Sequence, residues 1–206
     1  LFEARGDHTL KISSASTGVI YNQLLNGAPF DVFLAADSLR PALLEQQGLV
    51  LASGRFTYAW GQLVLAYRAA NPNSLSTLDL ASALNHPGIT VAIANPDHAP
   101  YGRAAQQVLD EYPLAAGTRL VRATNVGQAF RMWHSGSADL ALVAPSFAPD
   151  QYLEIPRASY SPIEQQVVVL KNSRQREAAS EFADFLRQAQ AQDIIVANGY
   201  RVSGND

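Results

Sequence analysis

Cysteine is absent from the 206 residues. That absence excludes disulfide bonds, thiolate nucleophiles and every metal site built on sulfur. It suits a cell-envelope and a cytosolic protein equally, so it selects no compartment. Charge is also sparse: 16% of the residues are Asp, Glu, Lys or Arg, and the formal net charge is −3. The 15 Lys and Arg are scattered, without the basic stripe that neutralises a phosphate backbone, which speaks against nucleic acid as a partner. No basic amphipathic helix argues for a membrane surface. No apolar run reaches the roughly 18 to 20 residues of a membrane span. Histidine occurs only as His8, His86, His98 and His134, and no two have the helical or strand spacing of metal ligands. A G-x-S-x-G elbow, a G-x-G-x-x-G fingerprint and a phosphate-loop signature are missing too.

What is present is apolar sequence in short, regular blocks. Hydrophobic residues make up 48% of the chain, ample for one domain or two small lobes. "LFEARG" (1–6) reads as the last turn of a helix closed by Gly6 in a left-handed conformation, so the chain opens partway through an element. "HTLKISSAS" (8–16) reads as a strand, and a helix follows from Gly18 through Ile20 and Leu24 to a stop at Gly27. "FDVFLAAD" (30–37) is a strand of the fully buried kind, and Asp37 or Ser38 can cap the helix "LRPALLEQQ" that ends at Gly48. "TYAWGQLVLAYR" (57–68) is the longest β-like run, and 71–88 is a loop with a short helix. "ITVAIAN" (89–95), "TRLVRAT" (118–124), "ADLALVAP" (138–145) and "EQQVVVLK" (164–171) are further strands. Val126, Ala129, Phe130 and Trp133 make one face of a helix before Gly136. Ala178, Phe182, Phe185, Leu186 and Ala189 make another, and a final helix ends at Asn198-Gly199. Apolar strands alternating with helices predict an α/β protein with mostly parallel sheets.

Three strand-to-helix turns share a composition. "SSASTG" (13–18), "APYG" (99–102) and "TNVG" (124–127) each set small or hydroxyl residues and a glycine at a helix start. The first turn of a helix carries N–H groups outside its own ladder and the positive end of the macrodipole, which together suit an anion. The same residue types are also ordinary caps, so the signal lies in the recurrence after buried strands. In "NPDHAPYGRAAQQVLDEY" (95–112), two prolines stiffen the entry and aim the N–H groups from Tyr101 onward, while Gly102 leaves room for a ligand. Asp97 and His98 admit an acid–base reading, but His98 reads better as a loop residue that hydrogen-bonds the backbone. Asp37 reads as a cap, and Trp60 and Trp133 as core. No catalytic residue and no protein-coordinated metal is expected.

"STG…QLLNGAPFDVFLAADS" (16–38), "ANPDHAPYGRAAQQVL" (94–109) and "ATNVGQAF" (123–130) together resemble the periplasmic molybdate-binding proteins of molybdate ABC transporters. The resemblance covers nearly the whole chain and closes on "NGY" (198–200). It implies the two-lobe type II periplasmic-binding-protein fold, α/β, with a ligand cleft between the lobes. Lobe I would comprise 1–68 plus 164–206, and lobe II 69–163. It implies a monomer in the periplasm, with no cofactor, that captures molybdate or tungstate and delivers it to the membrane permease of an ABC transporter. Sulfate or another oxyanion, or a ligand-sensing module of the same fold, is the alternative. Carried over residue by residue, the hydroxyl ligand falls on Thr17, next to Ser16. The backbone donors fall on Tyr101, beside Gly102, and on Val126, and the Tyr101 hydroxyl can also reach the anion. Two features depart from the family. Its first strand, with an "AAAS"-like turn, has no counterpart here, so lobe I would lack that strand and most of its first helix. A ligand tyrosine of some members is replaced by Ala144.

Overall fold

The computed structural model describes residues 1–6, 8–67, 79–147 and 152–203. The chain forms two compact units, Leu1–Trp60 with Glu164–Asp206 and Gly61–Ile163. The sequence-based lobe boundary at 68/69 and the loop at 71–78 fall on 68–78, outside the described residues.

In the first unit, strands β1 (Val32–Ala35), β8 (Ile163–Leu170) and β2 (Val50–Gly61) form a sheet in the order β1-β8-β2. β1 runs antiparallel to β8, with Val32 opposite Val169 and Ala35 opposite Gln166. Successive residues of β8 serve opposite faces, which is why its second half, residues 167–170, is apolar throughout. Val168 and Leu170 pack with Phe33, Leu24 and Leu44 beneath helices α1 (Thr17–Leu25) and α2 (Leu39–Gln46). Val167 and Val169 pack with Ala179, Ala183 and Leu186 beneath α6 (Arg176–Phe185). Helix α7 (Ala189–Ala197) follows. α1 ends as the sequence predicts: Gly27 has φ +81, and the N–H groups of Gly27 and Ala28 donate to the carbonyls of Leu24 and Gln23.

In the second unit the strand order is β5-β4-β6-β3-β7, with β3 at Val64–Ala66, β4 at Thr90–Ala94, β5 at Arg119–Ala123, β6 at Leu140–Val143 and β7 at Tyr152–Glu154. β4 is parallel to both β5 and β6, whereas β3 is antiparallel to β6 and β7. Helices α4 (Pro100–Glu111) and α5 (Val126–His134) follow β4 and β5 respectively, and a short α3 (Leu80–Leu84) precedes β4. Trp133 and Ala129 of α5 bury against Ala92, Ala141, Val143, Val64 and Ala66, so Trp133 is core. Trp60 is half-buried, and its backbone pairs with that of Arg201.

Four sequence expectations change. Residues 8–16 form no strand; Ile12 is 86% exposed, and among the described residues no strand of the sheet pairs with this segment to satisfy its backbone. Gly6 is extended (φ −172) after a 3-10 turn at Glu3–Arg5, not left-handed. The run 57–68 is not one strand. β2 begins already at Val50, and a break at Gln62–Leu63 separates it from β3, where the Leu63 N–H turns to the buried Tyr160 hydroxyl at 3.0 Å. The sheets are mixed rather than mostly parallel: β4 is parallel to β5 and β6, whereas β1 is antiparallel to β8 and β3 is antiparallel to β6 and β7.

Candidate functional site

Helix α1 starts at a residue that does not cap it. Ser16 occupies the N-cap position with extended dihedrals (φ −66, ψ 149), yet its side chain makes no capping bond. Its carbonyl accepts the first intrahelical bonds, from Val19 N–H at 3.0 Å and Ile20 N–H at 3.1 Å. The amides of Thr17 and Gly18 therefore stand ahead of the ladder. Ser16 is 6% exposed, and its Oγ has no hydrogen-bond partner among the described residues. A buried hydroxyl left so costs about 1–3 kcal/mol. Thr17, equally buried, accepts the Ala36 N–H on its Oγ1 at 3.0 Å. This latches α1 to the end of β1 and leaves the Thr17 hydrogen to be donated. Asp37 caps α2 as read from the sequence: its carboxylate accepts Arg40 N–H at 3.0 Å and pairs with the Arg40 guanidinium at 2.5 Å.

Helix α4 has no side-chain cap either. Its N-cap is Ala99 (φ −114, ψ 124), Pro100 is the first helical residue, and the first intrahelical donor is Arg103 N–H, to Ala99 O at 3.0 Å. The amides of Tyr101 and Gly102 precede that bond, and the Tyr101 ring is 5% exposed. The glycine at 102 has a reason that the sequence does not show. A Cβ there would lie 2.4 Å from the Ala94 carbonyl oxygen and 2.7 Å from the Asn95 carbonyl carbon. Helix α4 thus rests directly on the backbone at the end of β4.

The loop between β4 and α4 is organised by Asn95. Its N–H donates to Ala123 O at 2.7 Å, its Oδ1 accepts Asp97 N–H at 3.0 Å, and its carbonyl accepts Ala99 N–H at 2.9 Å and His98 N–H at 3.3 Å. His98 is exposed and joins this turn through its main-chain N–H, while the side chain that closes the turn is that of Asn95. Asn-Pro is a turn signal, so the position was visible in the sequence even though its role was not.

Helix α5 is capped on both sides of its first turn. Asn125 accepts Gln128 N–H on Oδ1 at 2.9 Å, and Gln128 Oε1 reaches back to Thr124 N–H at 3.0 Å, a reciprocal arrangement of the capping-box kind. The first intrahelical donor is Gln128 N–H, so the amides of Val126 and Gly127 lie ahead of it. The Val126 side chain packs against the core of the unit. Gly127 differs from Gly102: a Cβ there meets only ordinary contacts, the nearest at 3.4 Å.

The tertiary structure brings two of these turns together within one unit. Ala94 pairs with Ala123 across the parallel strands β4 and β5, so α4 and α5 begin side by side at the carboxyl edge of the sheet, where ligands of open α/β sheets are held. Tyr101, Gly102 and Val126 belong to this edge. Ser16 and Thr17 belong to the other unit. Every donor in the three turns is an amide or a hydroxyl. Among the described residues no group of three or more His, Cys, Asp or Glu could hold a metal ion. The arrangement can donate several neutral hydrogen bonds and has no nucleophile–base pair.

Comparison with known proteins gives a consistent picture. The family described as bacterial extracellular solute-binding protein matches residues 1–201. The molybdate-binding protein ModA of Azotobacter vinelandii is 36% identical over 209 residues, covering 97% of this chain and 81% of that protein. Its counterpart from Rhodobacter capsulatus is 34% identical over 206 residues, covering 97% and 80%. Among solved structures, the periplasmic molybdate-binding protein of Azotobacter vinelandii matches with a TM-score of 0.87 at 35% identity, over 98% of this chain and 90% of the other. The sulfate-binding protein SubI of Mycobacterium tuberculosis H37Rv, 18% identical with a TM-score of 0.71 over 92% and 75%, shares the fold. With a family match along almost its entire length and two such relatives, this chain belongs to the bacterial extracellular solute-binding proteins.

Proposed function

We propose that this chain is a periplasmic binding protein that captures molybdate and hands it to an ABC transporter permease. The observation that carries the reading is the buried Ser16 hydroxyl, without a partner among the described residues, at the N-terminus of α1. The proposed donors are the hydroxyls of Ser16 and Thr17 and the amides of Tyr101, Gly102 and Val126, the two units being the two lobes of a monomeric binding protein. The identity to two molybdate-binding proteins over nearly the whole chain supports it.

The chemistry of the donor set accounts for the choice of anion. Molybdate and tungstate are unprotonated dianions near neutral pH and accept hydrogen bonds on every oxygen. Phosphate often keeps a proton there, and that proton would meet no acceptor, leaving an unsatisfied group. Hydrogen bonds to a charged partner contribute about 1.5–3 kcal/mol each. A handful of them, offset by ordering costs, reaches the roughly 8 kcal/mol of micromolar binding. Sulfate carries the same charge and is smaller, so the spacing of the donors must reject it. Tungstate, close to molybdate in charge and shape, is expected to bind comparably. Isothermal calorimetry with molybdate, tungstate and sulfate tests the reading: heat and saturation at one anion per chain are expected with the first two, and a flat trace with both would sink it.

A further inference from the structure

We propose that Asn95 is a positioning residue that sets the separation of the α4 and α5 amides and thereby the size of anion accepted; the proposal rests on the molybdate reading. Asn95 makes no part of the donor set. It sits where β4 ends and bonds in two directions. Toward β5, its N–H donates to Ala123 O at 2.7 Å, one residue before the Thr124-Asn125 turn that opens α5. Toward α4, its Oδ1 holds Asp97 N–H at 3.0 Å, and its carbonyl holds Ala99 N–H at 2.9 Å.

The Ala94–Asn95 backbone is also the surface on which α4 rests. A Cβ at Gly102 would lie within 2.8 Å of both Ala94 O and Asn95 O, so the amides of Tyr101 and Gly102 move with that backbone. Neither Ala99 nor Pro100 offers a side-chain cap that could locate the helix independently. By contrast, α5 is located by its own reciprocal cap, Asn125 with Gln128. The position of α4 relative to α5 therefore depends on the turn that the Asn95 side chain closes. Asn is suited to this because its short amide mimics a backbone carbonyl two residues ahead. A tight turn holds the amides at one spacing, and a loosened one lets them close on a smaller anion.

The test is calorimetric titration of the wild type, Asn95→Ala, Asn95→Ser and Asn95→Asp with molybdate and with sulfate, read as the ratio of the two dissociation constants. Asn95→Ala removes the acceptor and is expected to weaken molybdate by about tenfold, the scale on which groups that orient ligand-holding atoms act, with a smaller loss for sulfate. The ratio then narrows. Asn95→Asp keeps the Oδ1 acceptor and is expected to keep the wild-type ratio, even where its charge lowers both affinities. Asn95→Ser, whose hydroxyl closes the same turn more weakly, falls between and serves if the alanine variant does not fold. An unchanged ratio in Asn95→Ala and Asn95→Ser overturns this inference alone. A wild type that binds neither anion overturns the molybdate reading and this inference with it.

Discussion

Ser16 and Thr17 are neighbours whose hydroxyls are differently engaged by the protein. Thr17 Oγ1 is occupied by the Ala36 N–H, whereas Ser16 Oγ is buried with no partner among the described residues. Two substitutions separate them. Ser16→Ala removes a group that the free protein leaves unsatisfied, so the melting temperature without ligand is expected to hold or rise. Anion affinity falls by about tenfold or more, the loss of one hydrogen bond to a charged group. Thr17→Val keeps the shape but strips the Ala36 N–H of its acceptor, and is expected to lower stability by about 1 kcal/mol. Scanning calorimetry and titration on both variants check the pair, and a Ser16→Ala protein that binds like wild type contradicts the donor role. The presence of hydroxyls at 16 and 17 was legible in the sequence, and so was the cap at Asp37. Which hydroxyl is spent on the backbone was not, since that depends on Ala36 arriving from another element.

At the scale of elements, the helix ends were the most legible features. Gly27, Gly48, Gly136 and Gly199 all take positive φ where the sequence predicts stops, because only glycine enters that region at low cost. The strand expected at 8–16 failed for the converse reason: a strand exists only where a neighbour accepts its hydrogen bonds. The glycines that open α4 and α5 look alike in sequence and differ in structure. Gly102→Ala drives a methyl into the Ala94 carbonyl at 2.4 Å, so it is expected to cost about 1–3 kcal/mol through displacement of the helix. Gly127→Ala, with its nearest contact at 3.4 Å, is expected to stay within about 1 kcal/mol of wild type, with the gain in helix propensity as its main term. Thermal denaturation of the two ligand-free variants gives the comparison. Equal effects would mean that α4 does not bear on β4 as described.

At the scale of the molecule, the chain forms two compact units, and the binding of a ligand to the native state is thermodynamically linked to folding. Free molybdate at a hundred times its dissociation constant is expected to stabilise the native state by about 2.7 kcal/mol. For a chain of this size that raises the melting temperature by roughly 5–10 °C. Sulfate at the same concentration is expected to do much less, and an equal shift with both anions would show that size is not discriminated. The alternation of strands and helices, the helix stops and the three glycine-bearing turns followed from the sequence, because periodicity, caps and glycine stops act within a few residues, and the family followed from the resemblance of whole motifs. The tertiary structure decided which strands run antiparallel, that the backbone at the end of β4 leaves no room for a side chain at 102, that the Asn95 side chain closes the turn before α4, and that, among the described residues, the Thr17 hydroxyl finds a partner where the Ser16 hydroxyl finds none. Each of those depends on atoms brought together from distant positions in the chain, and no local pattern encodes which N–H or carbonyl will be there to meet them.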